Sequence, residues 1–279
     1  MPSYFVTKEK KLRRKASVAG YFYPNRERDL KEMIGGMVEP DRERISGICV
    51  VSPHAGFVYS GPVAGAVFSS VYLPDKYVIL GPSHRGIEAC LAIMKKGTWE
   101  TPLGEVPIDS QLAEQIMHHS EGISEDHSAH LHEHSLEVQL PFIQFFKKNI
   151  SIVPICIAPQ ASFEDLEDLG LAVAKGIKDV KDEVMIVAST DMSHYIDQEL
   201  ARKKDFLAIN KILKLDALGL FETVQREHIS MCGFQPTTAA LIASIELGAK
   251  KAELIKYQTS GDVTGDYREV VGYAGIVIC

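Results

Sequence analysis

Cysteine is scarce: the chain's 279 residues include five, none of them in a C-x-x-C pair, which excludes a disulfide framework and a structural zinc site of that type. No apolar run approaches the ~18 residues of a membrane span, and the first residues carry charge where a signal peptide needs an apolar core. This excludes a membrane partner and predicts a cytoplasmic protein. No Pro/Ser/Gly-rich stretch divides the chain, and neither an internal repeat nor a low-complexity segment is visible. A single domain over residues 1–279 is expected. Positive charge is in deficit, with a formal net charge of -7 and a pI near 5.8, so there is no general attraction to nucleic acid or anionic lipid. The basic run Lys8 to Lys15 is the exception and reads as a solvated, partly mobile N-terminus. A G-x-S-x-G elbow is missing too, which weakens any reading as a serine hydrolase.

What is present centres on the stretch from Glu183 to Tyr195. Val184 to Ala188 is a short apolar run of the kind buried on both faces of a sheet, and it stops abruptly at Ser189, Thr190, Asp191, Ser193 and His194. Two earlier stretches repeat the pattern. Ile48 to Val51 runs into Ser52-Pro53-His54-Ala55-Gly56, with Pro62 placed to start the helix that follows. Tyr77 to Leu80 runs into Gly81-Pro82-Ser83-His84-Arg85-Gly86.

Between and after these lie further elements. Helices are predicted over about Arg26 to Val38, Ser110 to His118 with Asp109 as N-cap, and Ser135 to Lys147. Trp99 falls in a loop. Ile152 to Ile157 is a strand, and a capping box at Ser162 and Asp165 opens a helix to about Lys178. Helices near Gln198 to Leu213 and Ala217 to Glu227, and an apolar one ending near Gly248, precede two closing strands, Glu253 to Gln258 and Gly272 to Ile278. Strands of continuous apolar character alternating with helices argue for a layered α/β fold with a largely parallel sheet, the closing strands forming an antiparallel pair.

In open α/β sheets ligands bind outside the carboxyl ends of the strands. A sheet that aligned these three strand ends would gather His54, His84, Asp191 and His194 on one edge. Imidazole suits iron, copper and zinc, and a thiolate can complete a two-histidine set. Cys232 is the candidate, because it lies just before a helix, where the macrodipole and free N–H groups stabilise a thiolate. His194 reads either as a ligand or as a general base oriented by Asp191. Cys49, Cys90 and Cys156 sit in apolar runs and read as packed thiols. The histidine-dense tract holding His127, His130, His132 and His134 reads as a polar loop, with Glu133, His134 and Glu137 the members best placed to face a site. Tyr59, Arg85, His134, Glu137 and Tyr195 are the candidates for a substrate pocket.

Ala19-Gly20-Tyr21-Phe22-Tyr23-Pro24, Pro53-His54-Ala55-Gly56, Gly81-Pro82-Ser83-His84, Glu133-His134-Ser135-Leu136-Glu137, Ser189-Thr190-Asp191-Met192-Ser193-His194 and Cys232-Gly233 occur in this order over most of the chain. Together they resemble the Memo family, whose prokaryotic members are also called AmmeMemoRadiSam system protein B. The resemblance implies a three-layer α/β/α sandwich with a mixed, largely parallel sheet, similar to class III extradiol ring-cleaving dioxygenases. It implies non-haem iron (Fe2+) at strand ends, with copper or zinc as alternatives, His54 and His84 as metal ligands, and His194 as the acid/base histidine. Those dioxygenases use a glutamate as third ligand where this chain offers Cys232, so catechol cleavage does not carry over.

The expected function is therefore a metal-binding protein, redox-active on an unidentified small molecule or peptide. Two alternatives stand beside it: a vestigial pocket that binds a peptide or partner protein, and a metal-free enzyme with Cys232 as nucleophile and His54 or His194 as base. The resemblance also implies a functional link to radical SAM and AMMECR-type proteins.

Overall fold

The computed structural model describes residues 12–279. In chain order its elements are β1 (Arg13–Arg14), α1 (Glu27–Gly35), β2 (Cys49–Ser52), α2 (Phe57–Ser69), β3 (Lys76–Pro82), β4 (Leu91–Ile93), β5 (Thr98–Thr101), β6 (Gly104–Pro107), α3 (Ser110–His118) and β7 (Ile123–Glu125). There follow α4 (Leu140–Phe146), β8 (Ser151–Ile157), α5 (Phe163–Val180), β9 (Val184–Ser189), β10 (His194–Ile196) and α6 (Gln198–Leu213). The last are α7 (Ala217–Arg226), α8 (Phe234–Glu246), β11 (Ala252–Thr259), α9 (Gly261–Thr264) and β12 (Val270–Ile278). None of these helices is long and apolar enough to cross a membrane.

The main sheet runs β10-β12-β2-β9-β3-β8-β4-β7, with β11 paired to β12. Strands β2, β9, β3 and β8 are mutually parallel, and β12 is antiparallel to β2 and β11. Alternate side chains of each strand point to opposite faces. On one face Cys49, Val51, Val78, Leu80, Ile186 and Ala188 pack under α3, α5, α6, α7 and α8. On the other, Val50, Tyr77, Ile79, Met185 and Val187 pack under α1, α2 and α4. The result is the three-layer α/β/α sandwich with a mixed sheet that the sequence pattern and the resemblance imply. Each fully buried Val, Leu or Ile here contributes ~1.5–3 kcal/mol relative to exposure.

Register decides what happens at the edge. Ser52 lies beside Ser189, and Leu80 beside Ala188, so β2 and β9 stop level and β3 runs only slightly further, to Pro82. The residues that follow each strand therefore emerge together.

Several local expectations are corrected. Trp99 is not in a loop: β5 and β6 form a hairpin that pairs with β1 in a small second sheet. Within the basic run, Arg14 is fully buried, its guanidinium 4.2 Å over the Trp99 ring. Residues 8–11 of that run lie outside the described residues. Pro62 does not start its helix, which begins at Phe57. The missing N–H leaves Val58 as the carbonyl without its helical bond, and Val58 is on the solvent side. The helix expected from Ser135 instead begins as a 3-10 turn at Glu137–Gln139 before α4. Pro141 accounts for this, since its ring would collide with the Glu137 carbonyl in a continuous α-helix.

Candidate metal centre

His54 is the second residue beyond the end of β2, and Asp191 the second beyond β9, its neighbour in the sheet. The Asp191 carboxylate accepts from the His54 backbone N–H at 2.8 Å, which ties the two loops together. His84 emerges two residues beyond β3, on the far side of β9. The rings of His54 and His84 stand nearly perpendicular, 5.2 Å between centroids.

Cys232 arrives from elsewhere in the chain. It sits just ahead of Gly233, the N-cap of α8. Its backbone N–H donates to the Asp191 carbonyl at 3.3 Å, and the Asp191 N–H points back at its sulfur, also at 3.3 Å. The sulfur lies 3.2 Å from His54 Nε2. Ligand atoms of His54, His84 and Cys232 all fall within 4.8 Å of one another.

Hydrogen bonding assigns the imidazole tautomers. The Ser189 hydroxyl donates its single proton to the Ser135 carbonyl at 2.6 Å and accepts from Gln139 Nε2 at 2.9 Å. It therefore accepts from His54 Nδ1, 2.9 Å away, and the His54 Nε2 lone pair is free to face Cys232. His84 Nδ1 faces the Glu133 carboxylate at 3.0 Å, which only accepts, so Nε2 is again the basic nitrogen of the neutral ring. His194 Nδ1 faces the Ser230 carbonyl at 2.8 Å, with the same consequence. Two imidazoles held through Nδ1, with Nε2 turned towards a sulfur, are a donor set that fits a borderline or soft transition metal.

Electrostatics favour the uncharged forms of two of these groups. Burial pushes His54 well below the ordinary imidazole value, and the neighbouring His134 and His84 add to it. Burial raises the Cys232 thiol strongly, reinforced by the charge of Asp191. The expected thiolate stabilisation by α8 is thus overridden: a helix N-terminus contributes only ~0.3–1 kcal/mol. Without a cation Cys232 is a thiol, and it donates to His54 Nε2. Burial also pushes Asp191 up to about 6, against the hydrogen bond from His54.

The other candidates divide. His134 joins the cluster, stacked on His84 at 4.6 Å between centroids and 5.5 Å from His54, with Phe22 against its outer side at 4.8 Å. Tyr195, beside His194 with ring centroids 5.8 Å apart, is exposed and adopts a left-handed backbone at φ 57°. Tyr59 and Arg85 are exposed at the same edge. Glu137 is not brought to the pocket. Its fully buried carboxylate is committed to the Arg14 guanidinium, the Tyr23 hydroxyl and the N–H groups of Ser17 and Val18. His127 points at the Met94 sulfur, His130 is buried against Cys156, and His132 is exposed.

Sequence reasoning singled out Glu133, which stands behind His84, and left out the other partners that orient the cluster: the Ser189 hydroxyl and Gln139 behind His54, and Ser230 behind His194. Glu133 alone had a signal, its place beside His134 in a histidine-dense tract.

Comparison with known proteins covers nearly the whole described structure. The sequence model of the Memo-like protein family matches residues 14–277. A MEMO1 family protein of Pyrobaculum arsenaticum is 42% identical over 279 residues, covering 95% of this chain and 98% of the relative. MEMO1 family proteins of Methanopyrus kandleri, 40% identical over 280 residues (95% and 99% covered), and Thermotoga neapolitana, 41% identical over 282 residues (95% and 99% covered), are similar to the same extent. With a family match over nearly its full length and relatives well above 30% identity, this chain belongs to the Memo family.

Proposed function

We propose that this protein binds one transition metal through His54 Nε2, His84 Nε2 and the Cys232 sulfur, and that it carries out a redox reaction on a small organic molecule or peptide. The observation behind this reading is the convergence of those three donors within 4.8 Å of one another, at the ends of adjacent strands. Iron(II) is the metal proposed, with copper and zinc as alternatives; a thiolate in place of the carboxylate of a two-histidine facial set makes the site softer and leaves these in competition. Such a metal supplies Lewis acidity and, for iron or copper, one-electron chemistry.

The chain's own groups then have defined tasks. His54 and His84 present lone pairs held by fixed partners, so little reorganisation accompanies binding. His194, with Nδ1 held by the Ser230 carbonyl, keeps Nε2 free to take a proton from a substrate. Asp191 anchors the His54 loop through its backbone N–H and stands 3.9 Å from His54 Nε2, where its charge offsets that of a bound cation. A metal-free cysteine enzyme fits less well, because burial and Asp191 both disfavour the nucleophilic thiolate.

The test is elemental analysis of anaerobically purified protein beside His54→Ala and Cys232→Ala variants that keep their circular dichroism. Near-stoichiometric metal, lost in both variants, is the expected result. Wild-type protein that neither retains metal nor takes it up on anaerobic reconstitution overturns the proposal.

A further inference from the structure

We propose that Glu133 is a positioning residue for metal capture, its buried carboxylate holding His84 with Nδ1 protonated and Nε2 presented to the centre; this rests on the metal-binding reading above. Glu133 is fully buried, and the three groups hydrogen-bonded to its carboxylate are all N–H donors. One oxygen accepts from the His84 backbone N–H at 2.6 Å. The other accepts from His84 Nδ1 at 3.0 Å and from the Ser135 N–H at 2.8 Å, and lies 3.4 Å from His134 Nδ1.

A carboxylate gripping both the backbone and the ring of one histidine removes the χ1 and χ2 freedom that a half-exposed side chain would keep. His84 needs that restraint. Its side chain is 32% exposed, whereas His54 is 2% exposed and held by packing. Glu133 is itself held from behind, since its backbone carbonyl accepts from the buried Arg14 guanidinium at 2.6 Å. His84, Glu133 and His134 also form a group that meets the distance requirement for a second cation. Because the carboxylate already accepts from His84 Nδ1, Glu133 orients the histidine and does not ligate.

Glutamine cannot reproduce this arrangement, since its amide group would turn N–H against one of three N–H donors. Losing such an orienting partner costs about 10–100-fold in metal affinity. The experiment is an anaerobic titration of metal-free wild type, Glu133→Gln, Glu133→Asp and His84→Ala with cobalt(II), a spectroscopic probe for the site. It is read by thiolate-to-metal charge-transfer absorption and by bound metal per chain. One equivalent in the wild type, the same absorption band in folded Glu133→Gln at a Kd raised about 10–100-fold, and partial recovery in Glu133→Asp are expected.

An unchanged Kd in folded Glu133→Gln overturns the positioning role and leaves the metal centre standing. A second equivalent bound by wild type and lost in Glu133→Gln also overturns it, making Glu133 a ligand. Absence of binding in the wild type overturns both. Should the variants not fold, nitrogen-15 NMR of the wild-type imidazoles, recorded well above the ordinary histidine pKa of about 6.5, decides the matter. His84 protonated at Nδ1 supports the role, and protonation at Nε2 overturns it.

Discussion

Glu137 shows how residue type and environment separate at the smallest scale. It stands four residues from Glu133 in the same tract, and both carboxylates are fully buried, but their partners differ in kind. Glu133 faces imidazoles at the site. Glu137 faces a permanent cation, a phenol and two backbone N–H groups that strap the N-terminal segment down. Removing one member of a buried ion pair leaves the other charge uncompensated, at a cost of about 3–5 kcal/mol. Glu137→Gln is therefore expected to lower the unfolding free energy by that amount, read as a lower urea midpoint with little change in slope. Asp266→Asn, which breaks the exposed pair with Arg268, is expected to leave the midpoint where it was. Equal, small effects in the two variants would show that the strap adds nothing to stability.

At the scale of elements, the centre depends on α8 reaching the end of β9. Gly233 makes this possible. A β-carbon there would sit 2.3 Å from the Ser189 carbonyl oxygen and 2.5 Å from the Thr190 β-carbon, inside any allowed contact. The obstacle is backbone and a packed side chain, so the helix must shift instead. Gly233→Ala is expected to destabilise the fold by about 1–3 kcal/mol. It should also weaken metal retention by moving Cys232 away from His54, as read by thermal unfolding and elemental analysis together. Wild-type retention of metal in this variant would mean that the α8 junction has slack.

Across the whole molecule, several histidines are kept neutral by burial. His130 is pushed down to about 3 and His134 to about 4, and His54 lies well below its ordinary value, burial being the largest cause in each. In the unfolded chain each takes up a proton near pH 6.5. The unfolded state thus binds more protons than the folded one as pH falls below about 6.5, and folding stability falls with it. Asp191, pushed up to about 6 by burial, and Asp205, also raised by burial, act in the opposite sense above the ordinary carboxyl value near 4, two groups against four, since burial lowers His127 as well. The Tm of the metal-free protein is therefore expected to drop steadily between about pH 6.5 and pH 4. His130→Gln, which is in neither ligand group, should make that slope shallower. A Tm that stays level over this range would contradict the burial of neutral imidazoles.

The local order of the chain was legible in the sequence because its signals are local. Apolar runs such as Val184 to Ala188 have few ways to be satisfied except inside a sheet, and polar residues crowded at their ends mark where burial stops. The capping box at Ser162 and Asp165 likewise declares itself within four residues. Those signals settled the α/β class, the parallel central strands and the prospect of His54, His84 and Asp191 sharing an edge. The outcome at Pro62 was not legible there, because whether a missing helical bond is tolerated depends on what lies outside the helix. The order β2-β9-β3, the register that sets Ser52 beside Ser189 and Leu80 beside Ala188, and the delivery of Cys232 by α8 were decided only by tertiary packing. So were the fates of Glu133 and Glu137. A carboxylate carries no mark of its partner in the sequence, and only the assembled layers determine whether a histidine or an arginine meets it.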